Sequence, residues 1–189
     1  EGEGDVSGIK VAYIPTAHMW LDQSDSSVSK RSIGERRRRR AAEARKEGRI
    51  LSEQLGGMPV DTVDLAREDL NVSEALQGAR VIYVAGGNTF FLRHHMRRSG
   101  FDAICKRMVR DEGCVYVGLS AGGIVAGRHI CTAFWKGWDD PSIVDVDWSN
   151  PSNLEGLGLL PDHVLFPHHD EEKHAELVRQ KRADDVKDE

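Results

Sequence analysis

The chain has 189 residues, 39% of them hydrophobic and 30% charged, with 26 Lys plus Arg against 31 Asp plus Glu for a net charge of -5. A length of this kind suits one domain, here read as residues 1–189, with enough core to need no disulfide or metal staple. Three cysteines without CxxC spacing argue against a disulfide framework or structural zinc. No apolar run is long enough to span a bilayer, and no leader opens the chain, so a cytoplasmic location is expected.

Residues 9–14 are rich in β-branched side chains and end at Pro15, which reads as a strand. The longest predicted helix follows over residues 32–55, with Ala41, Ala42, Ile50, Leu51 and Leu55 as its apolar contacts and Gly56-Gly57 as its stop. Before it, residues 24–29 read as a loop. Residues 60–65 alternate apolar and polar, as a half-buried or edge strand would, and a short helix is expected over 72–76. Residues 81–85 and 114–119 are apolar throughout, the pattern of parallel strands covered on both faces. Helices are expected over 89–98 and 101–110, with weaker strand signals at 129–134 and 163–166. A charged helix runs from residue 171 to the end. Strand-helix alternation with short Gly-rich connections makes this an α/β fold with a mainly parallel sheet flanked by helices.

The sharpest chemical signal is Gly118-Leu119-Ser120-Ala121-Gly122, where an apolar strand meets a small-residue helix. A nucleophile elbow needs this context: small neighbours let the chain turn sharply and expose the serine hydroxyl above the sheet. The three-position pattern alone turns up by chance in about one such chain in ten to twenty, so its placement after a buried strand carries most of the weight. A second turn, Ala85-Gly86-Gly87-Asn88-Thr89, also follows a buried strand and offers backbone N–H groups to an anion or oxyanion. It lacks the spacing of a dinucleotide fingerprint and the ending of a Walker A loop.

The base for such a serine is expected at Pro167-His168-His169-Asp170, which closes the apolar segment 164–166. The same cluster with His174 also admits a metal reading, against which no further ligand set stands at suitable spacing. A third, acidic member is expected between the two in sequence, at Asp139 or Asp140, in the chain order of α/β-hydrolases. Either aspartate can equally belong to an ordinary turn before Pro141.

Four segments together resemble the peptidase E family of serine peptidases, the aspartyl dipeptidases: Ala12-Tyr13-Ile14-Pro15-Thr16-Ala17, Gly86-Gly87-Asn88-Thr89-Phe90, Gly118-Leu119-Ser120-Ala121-Gly122 and Pro167-His168. The resemblance implies a fold related to class I glutamine amidotransferases and hydrolysis of dipeptides, typically with N-terminal aspartate, without metal or organic cofactor. It implies Ser120 as nucleophile, His168 as base, Gly87 and Ala121 as oxyanion donors, and Asp139, with Asp140 as the alternative, as the acid. Asn88, Thr89 and His169 are the expected substrate contacts. No clean match stands for the basic residue that holds the substrate aspartate; Lys173, His174 and Arg179 are loose candidates.

Two other readings stay open. One is a related hydrolase for isopeptide or cyanophycin-like amides. The other is a polyanion-binding module using Arg36 to Arg40, five consecutive arginines followed by Arg45, Lys46 and Arg49. Against the latter, successive residues spread around a helix, and Glu35, Glu43 and Glu47 offer ion-pair partners. A small peptide is therefore the expected partner rather than nucleic acid or membrane.

Overall fold

The computed structural model describes residues 8–20, 30–135 and 137–185, without the side chains of 30–33 and 182–185. The predicted loop over 24–29 and the last four residues of the predicted terminal helix lie outside these. Four strands, β1 (Lys10–Ile14), β2 (Val60–Thr62), β3 (Ala79–Val84) and β4 (Val115–Gly118), form one parallel sheet in the order β2-β1-β3-β4. Around them run α1 (Lys30–Gln54), α2 (Val72–Ala75), α3 (Thr89–Arg98), α4 (Phe101–Arg110), α5 (Ala121–Ala126) and α6 (Glu171–Asp185). This is the α/β architecture expected from the alternating pattern.

The core lies between the sheet and α3, α4 and α5. Ala12, Ile14, Ile82 and Val84 are buried, and Phe90, Leu92, Met96 and Phe101 pack with them. Arg93 crosses this layer as a buried cation. Its guanidinium takes Asp102 in a two-pronged pair at 2.8 and 2.7 Å, and its Nε donates to the Glu155 carbonyl at 2.6 Å. That geometry satisfies the charge and ties α3 and α4 to the loop after residue 154.

Helix α1 differs from its predicted contacts. Its buried face carries Ala44 and Gly48, while Ala42 and Ile50 point outward. Small residues four apart let the helix lie close on the sheet: a Cβ on Gly48 would stand 2.7 Å from the Thr62 hydroxyl.

Three strand expectations are corrected. Residues 129–134 form a 3-10 turn over Cys131–Phe134, because Ala133 N–H bonds back to Ile130. Residues 163–166 pair with no strand; the segment is held by Arg128 N–H on the His163 carbonyl (2.7 Å) and the Thr132 hydroxyl on the Leu165 carbonyl (2.6 Å). And β4 is not covered on both faces. It lies at the sheet's edge among the described residues, with Val115 55% and Leu119 53% exposed. Apolar composition reports that a strand can be buried, not that a neighbour covers it.

Helix α3 carries His95, buried against the ring of Phe91 at 4.3 Å. Burial, with added repulsion from His94 and Arg98, pushes its imidazole down to about 4. An unfolded histidine titrates near about 6.5, so below that pH the unfolded chain takes a proton that the folded chain refuses. The stability contributed is present above about pH 6.5 and is lost as pH falls toward 4. Thermal unfolding of wild type and His95→Phe from pH 7 to pH 4.5 is expected to show a steeper acid loss in wild type. Parallel curves would show that His95 contributes nothing to that loss.

Candidate active site

The parallel register aligns the carboxyl ends of three strands. Ile14 pairs with Val84, and Val84 with Gly118, so the turns that follow them lie side by side. Ala85 N–H bonds to the Ile14 carbonyl at 3.0 Å and Leu119 N–H to the Val84 carbonyl at 2.9 Å, extending the ladder into the turns. Ligands of open α/β sheets bind at this edge.

Ser120 forms the turn between β4 and α5 with φ 50° and ψ -107°, far from both the strand and the helix it joins. Among the described residues, only two non-glycine residues have left-handed φ: Ser120 and His168, at 55°. Such backbone strain persists where the surroundings impose it and clusters at functional sites. These two strained residues, 48 positions apart, meet: His168 Nε2 lies 3.0 Å from Ser120 Oγ. That is hydrogen-bond range for a base beside a nucleophile.

Each glycine of the two turns has a measurable reason. A Cβ on Gly118 would stand 2.4 Å from the Gly122 carbonyl oxygen, and one on Gly122 2.3 Å from the Val84 carbonyl oxygen. Helix α5 therefore sits directly on β3 and β4. Gly87 adopts φ 137°, and its Cβ would fall 2.3 Å from the Ala17 carbonyl oxygen. At Gly86 the nearest atom is the Ser120 Cβ, at 3.1 Å, so this turn closes directly over the serine. Gly86, the neighbour of Gly87, and Ala121, the first residue of α5, thus border Ser120.

The acidic loop reaches the same place from residues 138–140. Trp138 stacks toward the His168 ring with centroids 5.8 Å apart. Asp139 Oδ2 accepts the Thr89 N–H at 3.0 Å, at the start of α3, where helix polarity favours a carboxylate. Asp140 instead folds onto its own turn, its Oδ1 accepting the Ser142 N–H and hydroxyl at 2.8 and 2.7 Å.

Apart from Thr89, whose buried hydroxyl has no hydrogen-bond partner among the described residues, the remaining sequence candidates have structural partners. Asn88 caps α3 by accepting the Phe91 N–H at 2.9 Å and donates to the Asp140 carbonyl at 2.9 Å. Thr89 is fully buried. His169 packs near Phe166 and lies 3.7 Å from Glu171. His174 Nδ1 accepts the Asp170 N–H at 2.9 Å, Lys173 pairs with Asp170 at 2.9 Å, and Arg179 pairs with Glu176 at 2.8 Å. Among the described residues no three His, Cys, Asp or Glu side chains converge as a metal ligand set. The Thr16–His18 turn also contributes, since its Ala17 carbonyl accepts the Asn88 N–H at 2.7 Å and seats Gly87.

Comparison with known proteins finds relatives among peptidases. An uncharacterized peptidase of Listeria innocua is 32% identical over 123 residues, 65% of this chain and 54% of that protein. Peptidase E of Shewanella amazonensis is 35% identical over 102 residues, 54% of this chain and 38% of that protein. The chain thus matches about half or less of the length of these two relatives. A solved structure from Listeria monocytogenes EGD-e, provisionally designated peptidase E, superposes with a TM-score of 0.63 at 25% identity, covering 94% of this chain and 77% of that one. Peptidase family S51 itself matches residues 36–188, a span that holds Gly87, Ser120, Asp139 and His168 together. The chain belongs to peptidase family S51.

Proposed function

We propose that the protein is a serine dipeptidase that cleaves dipeptides, with N-terminal aspartate preferred, through an acyl-enzyme. The observation that carries this reading is the 3.0 Å approach of His168 Nε2 to Ser120 Oγ on a strained elbow. His168 takes the Ser120 proton as Oγ attacks the peptide carbonyl carbon. The tetrahedral oxygen gains negative charge, and the N–H groups of Gly87 and Ala121 hold it. Collapse expels the amine, which receives the proton from His168, and leaves an ester on Ser120. Water, deprotonated by the same imidazole, then releases the acid.

Asp139 is the acid of this reading. Its loop is anchored on α3 and carries Trp138 beside the His168 ring, and Asp140 Oδ1 accepts two bonds within its own turn. Asp139→Asn is expected to lower kcat by about 10⁴, and Asp140→Asn far less. A reversed order in steady-state kinetics would transfer the role to Asp140.

The aspartate preference rests on the resemblance above. Hydrolysis of Asp-Leu, Glu-Leu, Asn-Leu and Ala-Leu tests it. Cleavage of Asp-Leu alone supports the preference. Equal cleavage of all four would keep the peptidase and discard the aspartyl label, and none would favour an isopeptide or other amide.

A further inference from the structure

We propose that a cleft beside α1, separate from Ser120, binds a small polyanion through Arg37, Arg38 and Arg45. The cleft encloses about 1010 Å³ between α1, the chain following β2, and α3. That is the upper end of the size of small-molecule sites.

The arginine run explains its character. At about 100° per residue, Arg37, Arg38 and Arg45 fall on one face of α1, together with Ala41 and Ala44, and all five line the cleft. Arg36, Arg39 and Arg40 fall on the other face. There Glu43 neutralises two of them, at 3.0 Å from Arg39 and 3.8 Å from Arg40. Among the described residues, Arg37, Arg38 and Arg45 make no ion pair or hydrogen bond. The run thus turns Arg37 and Arg38 to the cavity, while Arg39 and Arg40 pair with Glu43 on the other side.

The carboxylates of the cleft do not supply the missing partners. Asp61 pairs with Lys10 at 2.8 Å, Asp69 with Arg67 at 2.6 Å, and Asp64 accepts the Thr16 hydroxyl at 3.2 Å and the Ala66 N–H at 3.0 Å. Only Glu68 is left among the lining acids, and it is exposed. On the opposite wall Arg98 adds a fourth cation, and His95, 7% exposed, has an Nδ1 with no hydrogen-bond partner among the described residues. Guanidinium groups lining a partly apolar cavity can recognise phosphate or carboxylate oxygens. Polyphosphates and polycarboxylates share this chemistry.

Calorimetric titration of the full chain with inorganic pyrophosphate and, separately, citrate tests the site. Saturable one-to-one binding is expected for at least one of them, and which one binds identifies the source of the anion. The variant R37A/R38A/R45A is expected to lose at least about tenfold in affinity, and R36A/R39A/R40A less than about twofold, each checked for helical content by circular dichroism. Should the first variant lose helix, R45A alone carries the comparison. Binding that is absent, or weakened equally by both triple variants, would reduce the run to a diffuse basic surface and overturn the proposal. Ser120→Ala is expected to bind unchanged, so the outcome is independent of the peptidase reading.

Discussion

Ser120→Ala is expected to lower hydrolysis of Asp-Leu by on the order of 10⁶ while leaving the fold intact. The size follows from the unit the residues form. Without Oγ, His168 has no proton to take and no acyl-enzyme can form, leaving only the oxyanion donors and substrate positioning. The fold is spared because the hydroxyl is a surface group of the elbow. The main-chain bonds around it, Leu119 N–H to Val84 and Ile124 N–H to the Ser120 carbonyl, do not use the side chain. A thermal midpoint within about 2 °C of wild type is expected alongside the lost activity. Substantial residual turnover in a folded Ser120→Ala protein would remove the serine from the mechanism. Labelling by a fluorophosphonate probe reports the same nucleophile independently of which peptide is the substrate.

The second large effect is on stability, and it separates two adjacent glycines. Gly122→Ala would put a methyl group 2.3 Å from the Val84 carbonyl oxygen and 3.0 Å from the Val84 Cβ. The obstructing oxygen belongs to the central strand β3 and is bonded to Leu119 N–H, so it cannot move without breaking the ladder that sets the elbow. A loss of about 3 kcal/mol or more, or failure to fold, is expected from overpacking against rigid backbone. Gly123→Ala meets its nearest atom at 3.5 Å, an ordinary contact, and lies within α5. Replacing a helical glycine there is expected to be neutral or to stabilise by up to about 1 kcal/mol. Denaturant unfolding of the pair decides the matter. Equal effects would mean that α5 does not rest on β3 as described.

Much of this site was legible in the sequence because its parts are local. The strands at residues 9–14, 81–85 and 114–119 announce themselves by short apolar runs ending at Pro or Gly. The helices 89–98 and 101–110 match their predicted bounds. Gly118 and Gly122 signalled a turn whose tightness the contact distances now explain. The pair His168-His169 stood out by its place after an apolar segment, and the resemblance to the peptidase E family pointed to His168. Strand signals at 129–134 and 163–166 misled, because β-branched and aromatic residues also suit irregular segments packed on a core.

What sequence alone determined is the order of strands and helices and the two glycine turns, since these depend on neighbours a few residues away. The tertiary structure decided the rest. It brought Ser120 and His168 to 3.0 Å across 48 residues, and it gave the Asp139 carboxylate to α3 while Asp140 closed its own turn. Packing of α1 on the sheet turned Arg37 and Arg38 to a cleft and left Arg39 and Arg40 to pair with Glu43, and strand order left β4 at an edge among the described residues that its apolar sequence had not foretold. The physical reason is common to all of these. Residue type sets what a segment can bury or bond, but which partner it meets depends on long-range packing, whose loop-closure cost and geometry no local pattern records.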